Sequence, residues 1–404
     1  SALREASELS ASTSIDAPAW LSARYQPTPG IIEAARALYA RNTVADIARS
    51  DADAVNLSAT AHAVESVIAA ASNEKFKAIV FVTGVPGAGK TLVGLNVATR
   101  HRRKDDLTHA SYLSGNGPLV LVLREALTRD ELGRRRSGGK SVRKGDVALE
   151  VQAFIQPIHH FRRDGIRTTT SNTPPDEHVV IFDEAQRAWD RARTSDFVKR
   201  RNGLSNFDQS EPQFLIGYMD RHQDWAVIVC LVGGGQDINR GEAGIATWLE
   251  ALEEHYPQWR VFVPHALDEP EYSADQAVSR LEAKSVVTRN SDLHLRVSMR
   301  SFRAGEVSAF VSALLRADRT QATAHLNEFR EQYPIVVTRS LEAAKRWTRQ
   351  RSRGSERYGL VATSYAERLK PHAINVRSTI DPVHWFLNDA SDTRSSFYLE
   401  DPAT

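Results

Sequence analysis

Apolar residues along this chain follow two rhythms. Short unbroken runs rich in β-branched side chains, Ile79–Val82, Val179–Phe182 and Ala226–Val232, read as strands covered on both faces. Ala110–Leu113 and Val261–Pro264 read as shorter strands of the same kind. Between them the apolar spacing shifts to three and four. It predicts two short helices over Gly30–Ala48, then helices over Ala59–Ala71 (Ala63, Val64, Val67 and Ile68 turned inward), Val151–Phe161 and Ile245–Glu254, and one that ends at Leu127. Ala266–Ala277, with its Asp, Glu and Pro, reads as a crossing between domains. Beyond it, helices are expected over Ala304–Leu315, Ala322–Gln332 and Leu341–Arg351, with strands at Ile335–Thr338 and Tyr358–Ser364. Strand and helix in alternation predict an α/β fold with a parallel sheet between helices. The expected division is an N-terminal helical extension over 1–55, a first α/β lobe over 56–265 and a second, truncated α/β lobe over 266–404.

The candidate chemistry sits where the strands end. After Ile79–Val82 the chain reads Gly84-Val85-Pro86-Gly87-Ala88-Gly89-Lys90-Thr91, and a helical pattern begins at Lys90. Strand, glycine-rich turn and helix with this spacing form the P-loop signature in its required context. Glycines let backbone N–H groups turn toward a phosphate, and the helix N-terminus adds partial positive charge. Lys90 is placed to reach the β- and γ-phosphates of ATP, and Thr91 to put its hydroxyl on Mg²⁺. Val179–Phe182 delivers Asp183 and Glu184 at its carboxyl end, the Walker B arrangement. Asp183 is expected to hold the metal and Glu184 to orient the attacking water. The third run ends in Gly233-Gly234-Gly235-Gln236, where Gln236 can sense a γ-phosphate without adding charge. The alternative for Gln236 is a flexible turn before the next helix.

Composition narrows the class. The 404 residues, 41% of them hydrophobic, suffice for one large core or two medium ones. No apolar run approaches the roughly eighteen residues needed to cross a bilayer, and no secretory leader pattern is present, so no membrane partner is expected. The single cysteine, Cys230, lies in an apolar run, which suits a reducing cytoplasm. A net charge of +2 argues for no particular partner. Its distribution is more telling, because basic clusters stand at Arg100–Lys104, Arg134–Lys144, Lys199–Arg201 and Arg349–Arg357, beside the phosphate-binding machinery. Arg134–Lys144 reads as an exposed loop. The chain opens on Ser1 rather than methionine, as a processed or partial chain would.

The order of these motifs resembles a superfamily-1 helicase motor. The stretches TGVPGAGKTLVGLN, YLSGNGPLVLVLREAL, IFDEAQRAW, LVGGGQDINRGEAGI, LRVSMRSFRA and VHWFLND are similar to those of the bacterial Schlafen group-3-like DNA/RNA helicase domain family. That resemblance implies two RecA-like lobes that hydrolyse ATP with Mg²⁺, and DNA or RNA, single-stranded, crossing their tops. It implies that Arg300 reaches the γ-phosphate from the second lobe, with Arg296 the alternative. It implies that the Ser114–Pro118 loop contacts a strand backbone. The upstream glutamine that reads adenine in such motors has no counterpart in Asn56–Ala63, and the chain stops before the next motor motif. Two other functions fit the same motifs: an ATP-binding switch that controls a protein partner without translocating, and a small-molecule kinase. The Asp183-Glu184-Ala185-Gln186 run favours water over a kinase acceptor.

Overall fold

The computed structural model describes residues 30–40, 47, 51–85, 87–102, 108–204, 206–234, 241–269, 272, 274–283, 287–296, 304–331, 333–352, 359–363, 365–376 and 379–400. They form two compact units, 1–300 and 301–404.

In the first unit, helices α1 (Ile31–Tyr39) and α2 (Asp51–Glu74) precede strand β1 (Lys77–Gly84) and helix α3 (Lys90–Arg100). Strand β2 (Ala110–Ser114) then leads into α4 (Gly117–Ser137) and α5 (Lys144–Phe154). Strand β3 (Ile155–Pro157) runs straight into α6 (Ile158–Arg167), and β4 (Val179–Asp183) is followed by α7 (Arg191–Asn202) and α8 (Glu211–Asp220). The rest comprises β5 (Ala226–Gly233), α9 (Gly244–His255), β6 (Arg260–Val263), α10 (Asp275–Glu282), β7 (Val287–Arg289) and β8 (His294–Leu295).

The strands make one sheet in the order β3-β2-β4-β5-β1-β6-β7, with β8 joining β1 beside its carboxyl end. Every pairing described is parallel. A parallel sheet needs cover on both faces, and alternation along each strand supplies it. Ala78, Val80 and Val82 of β1, with Val179 and Ile181 of β4, pack under α1 to α5. Ile79 and Phe81, with Val180 and Phe182, pack under α6 to α10. These continuous apolar runs therefore serve two cores at once. The architecture is α/β, a parallel sheet flanked by helices, as expected, and it is consistent with a RecA-like lobe.

Several boundaries differ from the expected ones. The first unit runs to Arg300 rather than to 265, because β7 and β8 complete the first sheet. The supposed crossing at Ala266–Ala277 lies inside that unit, and its apolar members Leu267, Ala274 and Ala277 are buried in the second core. Helix α2 begins at Asp51 and passes through the expected boundary at 55/56. Val151–Phe161 is not one helix. The β3 strand interrupts it, since Ile155–Pro157 pair with Tyr112–Ser114 of β2. The basic segment Arg134–Lys144 is partly helical, as α4 continues to Ser137 through ion pairs one turn apart such as Arg135–Glu131.

The second unit contains α11 (Ala304–Leu315), α12 (Arg319–Phe329), α13 (Leu341–Arg351) and α14 (Pro382–Leu387), and among its described residues no strand. Phe310, Ala313, Ala322 and Phe329 form its small core. The strands expected at Ile335–Thr338 and Tyr358–Ser364 are not found among the described residues there, and Val337 and Val361 stand almost fully exposed. An apolar run becomes a strand only where a neighbour completes its ladder, and none is described beside these.

Helix α3 approaches the sheet through Gly94. A Cβ there would lie 2.6 Å from Leu231 Cδ1 and 3.0 Å from Ile181 Cγ2. Gly94→Ala is therefore expected to lower stability by about 1–3 kcal/mol through overpacking, despite alanine's better helix propensity. Urea denaturation measures it, and an unchanged or higher midpoint would show that α3 can withdraw without cost.

Candidate active site

The chain leaves β1 at Gly84, where a side chain has no room, since a Cβ would fall 2.7 Å from Leu295 Cβ on β8. Gly87 and Gly89 take φ of 78° and 90°, the left-handed region where glycine is at ease. Gly89 caps α3 without any side-chain acceptor, so the first-turn N–H groups of that helix face the turn with no capping side chain. The ammonium of Lys90 folds back onto the turn, donating to the Gly84 carbonyl at 2.6 Å and the Val85 carbonyl at 3.3 Å. At the strand end, Thr83 Oγ1 and His294 Nδ1 are 2.7 Å apart and link β1 to β8.

Two strands away, Asp183 ends β4 and continues the alternation of Val179 and Ile181, on the sheet face that α3 covers. Thr91 Oγ1 lies 3.4 Å from both carboxylate oxygens. The hydroxyl of Tyr112, from the adjacent strand β2, donates to Asp183 Oδ2 at 2.5 Å. Burial pushes the Asp183 carboxyl up to about 6, and neighbouring Glu184 adds to the rise. The Tyr112 and Thr91 hydroxyls and Lys90 pull the other way. Burial and the facing carboxylate also lift the Tyr112 phenol well above its ordinary range.

Glu184 adopts a left-handed backbone with φ of 57°, uncommon outside glycine and a mark of local constraint. The turn aims it away from Asp183's strand register and starts a short 3₁₀ helix, Ala185–Arg187. Gln186 clamps this turn. Its amide nitrogen donates to Glu184 Oε2 at 2.5 Å, and its oxygen accepts from the Gly233 N–H at 3.1 Å, at the end of β5. The buried Trp248 indole also donates to the Ala185 carbonyl at 3.0 Å.

The structure thus brings Lys90, Thr91 and Asp183 to one place, with Gly84, Val85, Gly87, Ala88 and Gly89 in the turn beside them and Glu184 next along the chain. Pro86, Gln236 and Arg300 lie outside the described residues. Arg296 is described through its backbone N–H, which donates to Asn56 Oδ1 at 2.9 Å. Asn116 of the Ser114–Pro118 loop caps α4, accepting from the Leu119 N–H. Two site residues escaped the sequence. Tyr112 looks like any inward residue of a buried strand, and only the β2–β4 register sets its hydroxyl against Asp183. Gln186 stood in plain view in the Asp-Glu-Ala-Gln run, but its role depends on β5 lying alongside.

A carboxylate and a hydroxyl from separate elements make a hard-oxygen donor pair, which suits Mg²⁺ completed by phosphate and water. Two ligands about 2.1 Å from an octahedral ion sit about 3 Å apart, close to the 3.4 Å between Thr91 Oγ1 and Asp183. Among the described residues no group of three or more His, Cys, Asp or Glu side chains could form a closed metal cage.

Asp183 also predicts a pH response. A carboxyl raised to about 6 in the folded state and 3.8 when unfolded costs stability in full above pH 6, and the cost fades as pH falls toward 3.8. Asp183→Asn is expected to raise stability at pH 7.5 without metal, by up to about 3 kcal/mol, and to remove Mg²⁺-dependent stabilisation. Thermal melts across pH, with and without Mg²⁺, measure both. A destabilised variant would contradict the assignment of that strain to a buried carboxylate.

No curated protein matches the chain. The family model described as "Schlafen group 3, DNA/RNA helicase domain" matches residues 77–404, from the first residue of β1 onward. That match spans most of the chain and includes every element of the site above, so the protein belongs to the Schlafen group 3 DNA/RNA helicase domain family.

Proposed function

We propose that this chain is a Mg²⁺-dependent ATPase of helicase type whose hydrolysis is coupled to single-stranded DNA or RNA. The observation that carries this reading is the convergence of Thr91, Asp183 and Lys90 on a glycine turn at an uncapped helix N-terminus. The triphosphate lies in the turn, receiving backbone N–H groups and the positive end of α3. Lys90 exchanges its two carbonyl partners for β- and γ-phosphate oxygens. Thr91 and Asp183 hold Mg²⁺, which when bound neutralises charge on the phosphates. Glu184, held by Gln186, orients the attacking water and accepts its proton as the bond from oxygen to the γ-phosphorus forms and the bond to the ADP oxygen breaks. Gln236 and Arg300 complete the reading as γ-phosphate sensor and transition-state cation. The family's helicase description supports nucleic acid as the partner.

Glu184→Gln is expected to retain ATP binding and to lower turnover by about 10²-fold or more. Lys90→Ala is expected to lose nucleotide affinity instead. Steady-state hydrolysis with and without a single-stranded oligonucleotide, alongside nucleotide binding, tests the set. Wild-type turnover in Glu184→Gln would overturn its role, and rates indifferent to every nucleic acid would overturn the coupling.

A further inference from the structure

Asp183 and Glu184 themselves line a cavity of about 900 Å³ in the first unit. Two helix faces wall it. On α7, Arg193, Phe197 and Arg201 recur every four residues and so share one face. On α6, His159, Arg162, Arg163 and Ile166 present the opposite wall. Gly115 and Asn116 from the β2–α4 loop also border it, and both are exposed.

The floor is built rather than incidental. Arg162 and Glu211 are both buried and ion-paired, so the Arg162 charge is already neutralised. The Arg162 guanidinium lies 4.1 Å from the Trp189 ring centroid and 4.6 Å from that of Phe197. A second guanidinium, that of the exposed Arg193, lies 4.4 Å from the Trp189 centroid. Trp189 is held in turn by backbone. Its N–H donates to Glu211 Oε2 at 2.9 Å, and its carbonyl accepts from the Glu211 N–H at 3.0 Å. Arg163 and Arg201 remain exposed on the two walls.

Resting on the ATPase reading above, we propose that this cavity is where a single strand of nucleic acid seats an unpaired base. The base lies against the Trp189–Arg193 pair, and its flanking phosphates meet Arg163 and Arg201. The interleaving of arginine and aromatic rings decides the class of ligand. Phosphates need the rim cations, and a base needs a π or guanidinium platform that an acidic peptide would leave unused. An unpaired base is required because a base within a duplex hides both faces in the stack. The position also explains how a strand could be felt by the hydrolytic site. Trp189 stands only five residues after Glu184, and the segment between them is pinned by Trp248 to the Ala185 carbonyl and by the Ala243 N–H to the Ala188 carbonyl.

The test uses the full chain, a fluorescent single-stranded oligonucleotide of about 12 nucleotides and anisotropy across a salt series. Arg163→Gln with Arg201→Gln, both exposed, is expected to weaken binding about tenfold and to flatten the salt slope by about 1.4, at about 0.7 for each phosphate no longer neutralised. A halogenated-pyrimidine oligonucleotide is expected to photocross-link to the peptide carrying Trp189 or Phe197. Unchanged affinity and slope in the double variant, with cross-links elsewhere, would overturn the cavity while leaving strand-stimulated hydrolysis intact. Displacement of the oligonucleotide by polyglutamate as readily as by unlabelled strand would overturn nucleic acid as the ligand. A parent chain that binds no strand at all would remove the nucleic-acid reading along with the cavity.

Discussion

A carboxylate at the end of a buried strand is an unfavourable thing to fold around, and the site is arranged about that cost. Asp183 is desolvated by the strands on either side, and its hydrogen bonds come from neutral hydroxyls of Tyr112 and Thr91. Lys90, near enough to bias its ionisation, donates to two carbonyls of the turn. The result is negative charge at the sheet edge and positive charge folded over an uncapped helix. Such separated charge is more valuable to a cation and a polyphosphate arriving together than to the resting protein.

The sheet makes that arrangement rigid. β1, β4 and β5 lie side by side in parallel register, so their carboxyl ends, Gly84, Asp183 and Gly233, emerge at one edge. Ligands of open α/β sheets gather at this edge because loops leave there from neighbouring strands. Helix α3 can reach Asp183 only because Gly94 lets it sit close to Leu231 and Ile181. Gln186 ties the Glu184 turn to β5, so the acid and the carboxyl end of that strand share one hydrogen-bonded span.

Further along the chain from Glu184, the buried Arg162–Glu211 pair supports Trp189, and the α7 helix repeats arginine, phenylalanine and arginine at one-turn spacing. The Glu184 turn and the wall of the cavity share one stretch of chain, from Asp183 to Trp189. A displacement at either end of that stretch must be absorbed within seven residues whose backbone is hydrogen-bonded at several points.

The sequence by itself determined the α/β class, the strand–turn–helix context of Gly84–Thr91 and the delivery of Asp183 and Glu184 from a buried strand. Each of these depends on local pattern: unbroken apolar runs, glycines where φ must be positive, and a helix beginning at Lys90. The fold of the first unit bears out the local pattern. Tertiary structure decided what depends on neighbours. Strand register put Tyr112 against Asp183 and Gln186 against Gly233. Pairing with β2 turned Ile155–Pro157 into a strand inside an expected helix, and β7 and β8 moved the boundary of the first unit to Arg300. Among the described residues, the equally apolar runs at Ile335–Thr338 and around Val361 are not strands, because periodicity can propose a strand but only a partner's hydrogen bonds can make one.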